Sequence, residues 1–248
     1  MVRLFLRLLA PLIVLAAAAP GSVRAELVAD LSQHLVAITT GFSGTKVLLF
    51  GTTGGMGDVV VVVRGPENTE VVRRKARKAG IWVNDAEMVF EGVPSYYAVA
   101  ASGPLNEFLP ERVARREEIG IRNLRVTPPV DAGPQEFDAF RAALIRNKQK
   151  AKLYSVEPER ISFLGNRLFR TDMHFPANAP VGTYIVRVFL VHDGEVIGAN
   201  ITPLVVSKIG FEAGVFDFAH RHSLAYGVLA ILIAVVAGWS ASVAFHKD

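Results

Sequence analysis

The sequence contains no cysteine. That excludes disulfides, thiol catalysis and thiolate metal sites together, and it leaves no acceptor for an N-terminal lipid. An exported domain of this composition has to rest on its own packed core. Catalytic signatures are also missing. No Gly-x-Ser-x-Gly elbow presents a nucleophile, and the carboxylates are scattered, with no pair placed for glycosidase chemistry. There is no internal repeat. A strong excess of charge is lacking too. The formal net charge of +4 includes Arg3, Arg7 and Arg24 of the N-terminal segment; without those three, 24 basic residues face 23 acidic ones. Nucleic acid is therefore not an expected partner, and no cofactor is expected.

The strongest features lie at the two ends. Arg3 and Arg7 give a positive start, residues 8–19 form an apolar run interrupted by Pro11, and Val23-Arg24-Ala25 places short residues before Glu26. This is the layout of a secretory signal peptide over residues 1–25. The run is short for a bilayer span, although an uncleaved N-terminal anchor is the alternative. Arg3 and Arg7 are not adjacent, so a twin-arginine signal is unsupported. At the other end, residues 223–245 carry no charge and are mostly Ala, Val, Leu and Ile. As a helix they reach roughly 35 Å, enough for a hydrocarbon core of ~30 Å. Tyr226 and Trp239 lie toward opposite ends, where amphipathic rings favour the interface. The expected order is a signal peptide, an exported β-rich domain over residues 26–222, a transmembrane helix over 223–245 and a cytoplasmic tail over 246–248.

Within the exported part, Leu35-Val36-Ala37-Ile38-Thr39, Lys46-Val47-Leu48-Leu49-Phe50 and Val59-Val60-Val61-Val62-Val63 read as strands. Their near-continuous apolar character predicts strands buried on both faces or central in a sandwich. Val71-Val72, Ile81-Trp82-Val83, Met88-Val89-Phe90 and residues 96–100 are further strands. Residues 103–152 read as a helical insertion. Ser102-Gly103-Pro104 caps one helix that carries Leu105, Phe108, Leu109 and Val113 and ends near Gly120. After the break at Thr127-Pro128-Pro129, a second helix begins near Pro134. Glu136 and Asp138 at its start, and Lys148, Lys150 and Lys152 at its end, suit the helix dipole. Phe137, Phe140 and Leu144 are its apolar face. Strands return over residues 161–164, 168–175, 183–191 and 196–206, with Asp193-Gly194 as a hairpin turn. The fold class expected is mainly β: an immunoglobulin-like β-sandwich with a helical insertion, plus one C-terminal transmembrane helix. Two smaller β-domains joined by helices is the alternative.

Several motifs bear on function. Gly51-Thr52-Thr53-Gly54-Gly55-Met56-Gly57-Asp58 resembles a phosphate loop but lacks the Gly-Lys-Ser/Thr ending and precedes a strand; a hairpin connection is expected. Arg73, Arg74, Lys75, Arg77 and Lys78 form the densest charge run, either a surface for an anionic ligand, headgroups or an acidic partner, or a solvated strand edge. Asp172 and His174, two apart on a strand, share one face. They are the only candidates for a metal or acid–base site, although imidazole sites usually recruit more ligands. His192 adjoins the predicted turn, and His220 and His222 flank Arg221 at the membrane edge. In the span, Ala230, Ala234, Gly238 and Ser242 recur every four residues, a stripe that lets helices approach closely.

The blocks Gly57-Asp58-Val59-Val60-Val61-Val62-Val63-Arg64-Gly65-Pro66, Gly80-Ile81-Trp82-Val83-Asn84 and Val93-Pro94-Ser95-Tyr96-Tyr97 resemble an uncharacterised family of alphaproteobacterial transmembrane proteins. So do Leu168-Phe169-Arg170, Phe175-Pro176-Ala177-Asn178-Ala179-Pro180-Val181-Gly182-Thr183-Tyr184, and Tyr226-Gly227 leading to Gly238-Trp239. The resemblance runs from Glu26 to Phe245. It implies a Gram-negative inner-membrane protein with a periplasmic domain, and it transfers no catalytic residue. The family's association with neighbourhoods of sulfite or sulfonate exporter-like permeases implies a transporter as partner. In structural terms, Trp82 and Tyr97 of these blocks are expected core aromatics. The functional expectation is a non-enzymatic accessory or binding protein. The alternative is a membrane-tethered enzyme or a metal- or solute-binding protein using Asp172 and His174.

Overall fold

The computed structural model describes residues 27–129, 132–210 and 218–245. The expected signal peptide and cytoplasmic tail lie outside the described residues. The chain runs β1 (Val28–Leu31), β2 (Leu35–Ile38), β3 (Gly44–Thr52), β4 (Asp58–Arg64), β5 (Glu67–Lys78), β6 (Ile81–Pro94) and β7 (Tyr97–Ala101). Two short helices follow, α1 (Leu105–Phe108) and α2 (Glu111–Arg116), then a 3-10 turn at Ile121–Asn123 and the longer α3 (Pro134–Lys150). Strands β8 (Glu159–Arg160), β9 (Ser162–Leu164), β10 (Leu168–Pro176), β11 (Gly182–His192) and β12 (Glu195–Lys208) come next, and α4 (Ser223–Phe245) ends the series.

The protein is mainly β, with several sheets and one C-terminal apolar helix. One sheet has the order β1-β3-β10-β9, a second the order β2-β12-β11-β4-β7-β8, and β5 and β6 pair only with each other. The first two sheets face one another across a single core. Val47, Leu49, Phe169, Met173 and Phe175 of the smaller sheet meet Val59, Val61, Val63, Tyr184, Val186 and Leu204 of the larger. β10 shows the alternation of a half-buried strand.

β4 differs, because both of its faces are covered. Val60 and Val62 point away from the sandwich into a second core, formed with Leu109, Val113 and Ala114 around α2, Ile119, Leu124 and Tyr154. The expectation of two-faced strands is met by β4, which is central in the larger sheet, between β11 and β7; β2 and β3 depart from it, leaving Leu35 and Phe50 exposed. Burying each valine is worth roughly 1.5–3 kcal/mol, as an upper figure. A third core sits under the β5–β6 ribbon, where Val72, Met88, Phe90 and Val93 pack on Phe140 and Leu144 of α3. The expected apolar face of that helix is therefore present, with Phe137 at its margin.

Four expectations are corrected. The single helix from Ser102 to Gly120 is two, because Pro110 has an extended backbone and begins α2. Ser102 does not cap it. Its hydroxyl donates to Asp58 and accepts from the Val59 amide, so it ties down the start of β4. The loop from Gly51 to Asp58 is not a hairpin, since β3 and β4 belong to different sheets. Gly57 is required in that crossover. It has a φ of 89°, and a Cβ there would lie 2.5 Å from the Val191 carbonyl oxygen. Trp82 is not a core aromatic. It is 68% exposed, whereas Tyr97 is fully buried.

Candidate functional site

The basic run lies on β5, and β5 is half of a ribbon that leaves the body of the protein. At its base the ribbon is held by α3. Arg74 places its guanidinium 5.8 Å from the Phe140 ring centre, and Lys148 of α3 pairs with Glu70. Beyond Arg74 no ribbon residue is buried until Met88 on the return strand. The four residues from Lys75 to Lys78 carry the arm roughly 13 Å outward at ~3.3 Å per residue.

The tip closes on Ala79 and Gly80, with φ of 50° and 86°. Two successive left-handed residues form the two-residue turn whose twist suits an antiparallel pair. Gly80 adopts that conformation without steric cost, and nothing lies within 4 Å of a Cβ built on it. Register then sets Lys78 opposite Ile81, Arg77 opposite Trp82 and Ala76 opposite Val83. Ile81 is 65% exposed. The tip thus presents an aliphatic and an indole side chain on opposite faces of the ribbon, each beside a cation.

Charge on the arm is unbalanced. Arg73 bonds Glu87 at 3.0 Å, while Arg74 and Lys78 share Asp85 at 3.4 and 2.5 Å. The Lys78 hydrogen bond and charge, with Arg74 second, hold the Asp85 carboxyl below its usual range. Arg77 donates to the Gly80 carbonyl at 3.2 Å. Lys75 and Arg77 meet no carboxylate among the described residues. The run is therefore both a solvated strand edge and a net positive surface. Exposed pairs of this kind add little stability.

Asp172 and His174 both point outward from β10, opposite Leu48 and Lys46 of β3. They share a surface groove of about 650 Å³ with Lys46, Arg160 and Arg170. Among the described residues no three His, Asp or Glu side chains converge as a metal site would need. A larger cleft of about 970 Å³ opens between α1, α2 and the β7–β8 edge, with Pro104, Leu109, Ile119, Arg122 and Arg160 on its walls. In α4 Ala230, Ala234, Gly238 and Ser242 are all exposed. Among the described residues, the helix's own backbone aside, nothing lies within 4 Å of a Cβ built on Gly238.

Two features were not legible as sites. The first is the exposed pair Ile81 and Trp82; the Ala79-Gly80 step between two strand patterns was the available signal. The second is a charged knot on the outer face of the larger sheet. Glu118 pairs with Arg64 and, at 3.6 Å, with Arg125. Arg187 donates to the Glu117 carbonyl at 3.2 Å, and its own charge is disfavoured by burial. Tyr97 donates its hydroxyl to the Glu118 carbonyl at 2.7 Å. These groups come from residues far apart in sequence and lock the loop after α2 onto the sheet.

No curated protein matches the chain. Among solved structures, that of Spo0M, a sporulation control protein from Bacillus subtilis, matches at 9% identity with a TM-score of 0.29, over 80% of this chain and 55% of that one. The chain thus spans about half the length of that protein. A helix with the length and composition to cross a membrane is present at Ser223–Ser242, exposed on its surface. The family model described as "Putative transmembrane protein (Alph_Pro_TM)" matches residues 26–247, and the chain belongs to this alphaproteobacterial transmembrane family.

Proposed function

We propose that the protein is a single-pass inner-membrane accessory protein, with residues 26–222 in the periplasm after removal of residues 1–25, and that α4 packs against a membrane partner such as a transporter. The exported part then acts by binding, without catalysis of its own. The observation that carries this reading is Gly238. Glycine inside a helix costs roughly 1 kcal/mol relative to alanine. Among the described residues, the helix's own backbone aside, nothing lies within 4 Å of a Cβ built there, so no described neighbour requires a glycine. Its place in a line with Ala230, Ala234 and Ser242 suits a second helix approaching closely. A plain anchor needs no such face.

The test is purification of the tagged full chain from native membranes in gentle detergent, beside a variant in which Ala230, Ala234 and Gly238 are Leu. A permease that accompanies the native chain and is lost with the variant supports the reading. Equal recovery with both forms, or no companion with either, removes it. The alternative use of Asp172 and His174, by a tethered enzyme or a metal- or solute-binding protein, has the groove shared with Lys46, Arg160 and Arg170 behind it.

A further inference from the structure

We infer that the tip of the β5–β6 ribbon docks on the bilayer surface, with Ile81 and Trp82 entering the interface and Lys75, Arg77 and Lys78 meeting anionic phospholipid headgroups. The inference rests on membrane anchorage and not on the partner proposed for α4.

Four observations converge on it. The first is isolation. The ribbon is pinned at its base by Phe140 and Leu144 of α3, and beyond Arg74 each strand has only the other for company. No part of the described chain relieves the exposure of Trp82 and Ile81. The second is chemistry. Tryptophan and an aliphatic residue at an extremity, ringed by cations, form the combination that lies at a membrane–water boundary, since the indole has an apolar body and a polar N–H. Both tryptophans of the chain then have an interfacial setting, because Trp239 lies near one end of the candidate span.

The third is charge. Five cations from Arg73 to Lys78 face two carboxylates, Asp85 and Glu87, and both carboxylates are already engaged. The surplus falls at the outer end, where Lys75 and Arg77 lack acidic partners among the described residues. Basic side chains close to an anionic leaflet are drawn to it within a Debye length. The same side chains on a strand edge discourage pairing with a strand of another protein, so a lipid surface fits better than β-strand addition. The fourth is proximity. α4 keeps the rest of the chain beside a bilayer, so a weak surface contact is made at high effective concentration.

The experiment uses the full chain with Trp239 replaced by Phe, so that emission reports Trp82 alone. It is reconstituted in phosphatidylethanolamine vesicles containing phosphatidylglycerol, in phosphatidylcholine vesicles and in detergent micelles. In the phosphatidylglycerol vesicles, Trp82 emission shifts to the blue, brominated lipid quenches it, and iodide quenching falls about tenfold relative to micelles. High salt, or Lys75→Glu with Arg77→Glu and Lys78→Glu, restores iodide access. Thermal melting of these variants stays at the native value, which shows that the fold is retained. Equal iodide access in all three settings overturns the inference. Equal protection in phosphatidylcholine overturns its anionic part. Loss of a co-purifying permease leaves every one of these readings unchanged, so the two proposals fail separately.

Discussion

Two apolar β-stretches of this chain reach opposite ends of the burial scale. Val59 to Val63 on β4 are all buried, and Ile81-Trp82-Val83 on β6 begin as the most exposed apolar residues of the ribbon. Their intrinsic preference for extended backbone is similar. The difference lies in what meets them. β4 is paired on both edges and covered on both faces, by the sandwich core and by the layer around α2. The tip of β6 is paired on one edge with a basic strand and covered on neither face. Strand propensity therefore identifies both as strands, and only tertiary partners decide which becomes core.

The sharpest way to break this contrast is to put the same charge in both places. Val61→Asp buries a carboxylate between the two sheets with no partner. It should destabilise the body by more than about 4 kcal/mol, enough to abolish cooperative thermal unfolding. Trp82→Asp should change stability by less than about 0.5 kcal/mol, because that side chain is mostly exposed and belongs to no core. Melting curves of the two variants followed by circular dichroism are the check. A comparable loss from both would mean that the arm is a structural strut and would undo the comparison.

Alkaline pH separates the regions next. Tyr96, Tyr97 and Tyr154 are buried, and burial raises each phenol above its usual value of 10.0. Each hydroxyl also donates to a backbone carbonyl, of His174, Glu118 and Pro94, at 2.7 to 2.8 Å, and ionisation would remove that donor. The folded values exceed the unfolded ones, so the stability from these groups is complete below pH 10 and is lost as pH rises toward the folded values. The loss is about 1.4 kcal/mol per tyrosine per pH unit above 10. The ribbon contains no tyrosine. Denaturant titrations of the body across pH 9 to about 11 should show midpoints that fall steeply only above 10. A flat profile would contradict the burial of these phenols.

What the sequence made legible followed the range of the interactions involved. Local signals were enough for α3, where Pro134, the acidic start and the Phe140–Leu144 face all appear within one helix. They were enough for the Asp193-Gly194 turn, whose two residues have φ of 50° and 74°, and for α4, whose composition alone predicts a span. Over residues 102–120 the apolar spacing continues through Pro110, whereas the helix cannot, because that residue has no amide to donate. The Gly51–Asp58 loop has the local look of a hairpin, but the partners of β3 are β1 and β10, one before it and one more than a hundred residues later. Asp172 and His174 were correctly placed on one face of β10. The groove they share depends on Arg160 of β8, whose carbonyl accepts from the Thr171 hydroxyl of β10 at 3.2 Å. The knot of Arg64, Glu118 and Arg187 had no sequence signal, since no two of its members fall in the same element.

The smallest effect belongs to the turn itself. Ala79 has a φ of 50°, a left-handed conformation that costs an L-residue with a Cβ roughly 1–2 kcal/mol. Asparagine is better tolerated there and, followed by Gly80, gives the pair most favoured in two-residue hairpins. Ala79→Asn should stabilise the arm by at most about 1 kcal/mol, which slows amide exchange near the tip by up to about fivefold. The melting temperature of the body should not move, because beyond Arg74 the arm shares no core with it. Exchange that slows equally in β4 and in the arm would show that the two regions unfold as one unit. Slowing confined to residues beyond Arg74 would establish the arm as a separately stabilised element, built to hold Ile81 and Trp82 away from the fold.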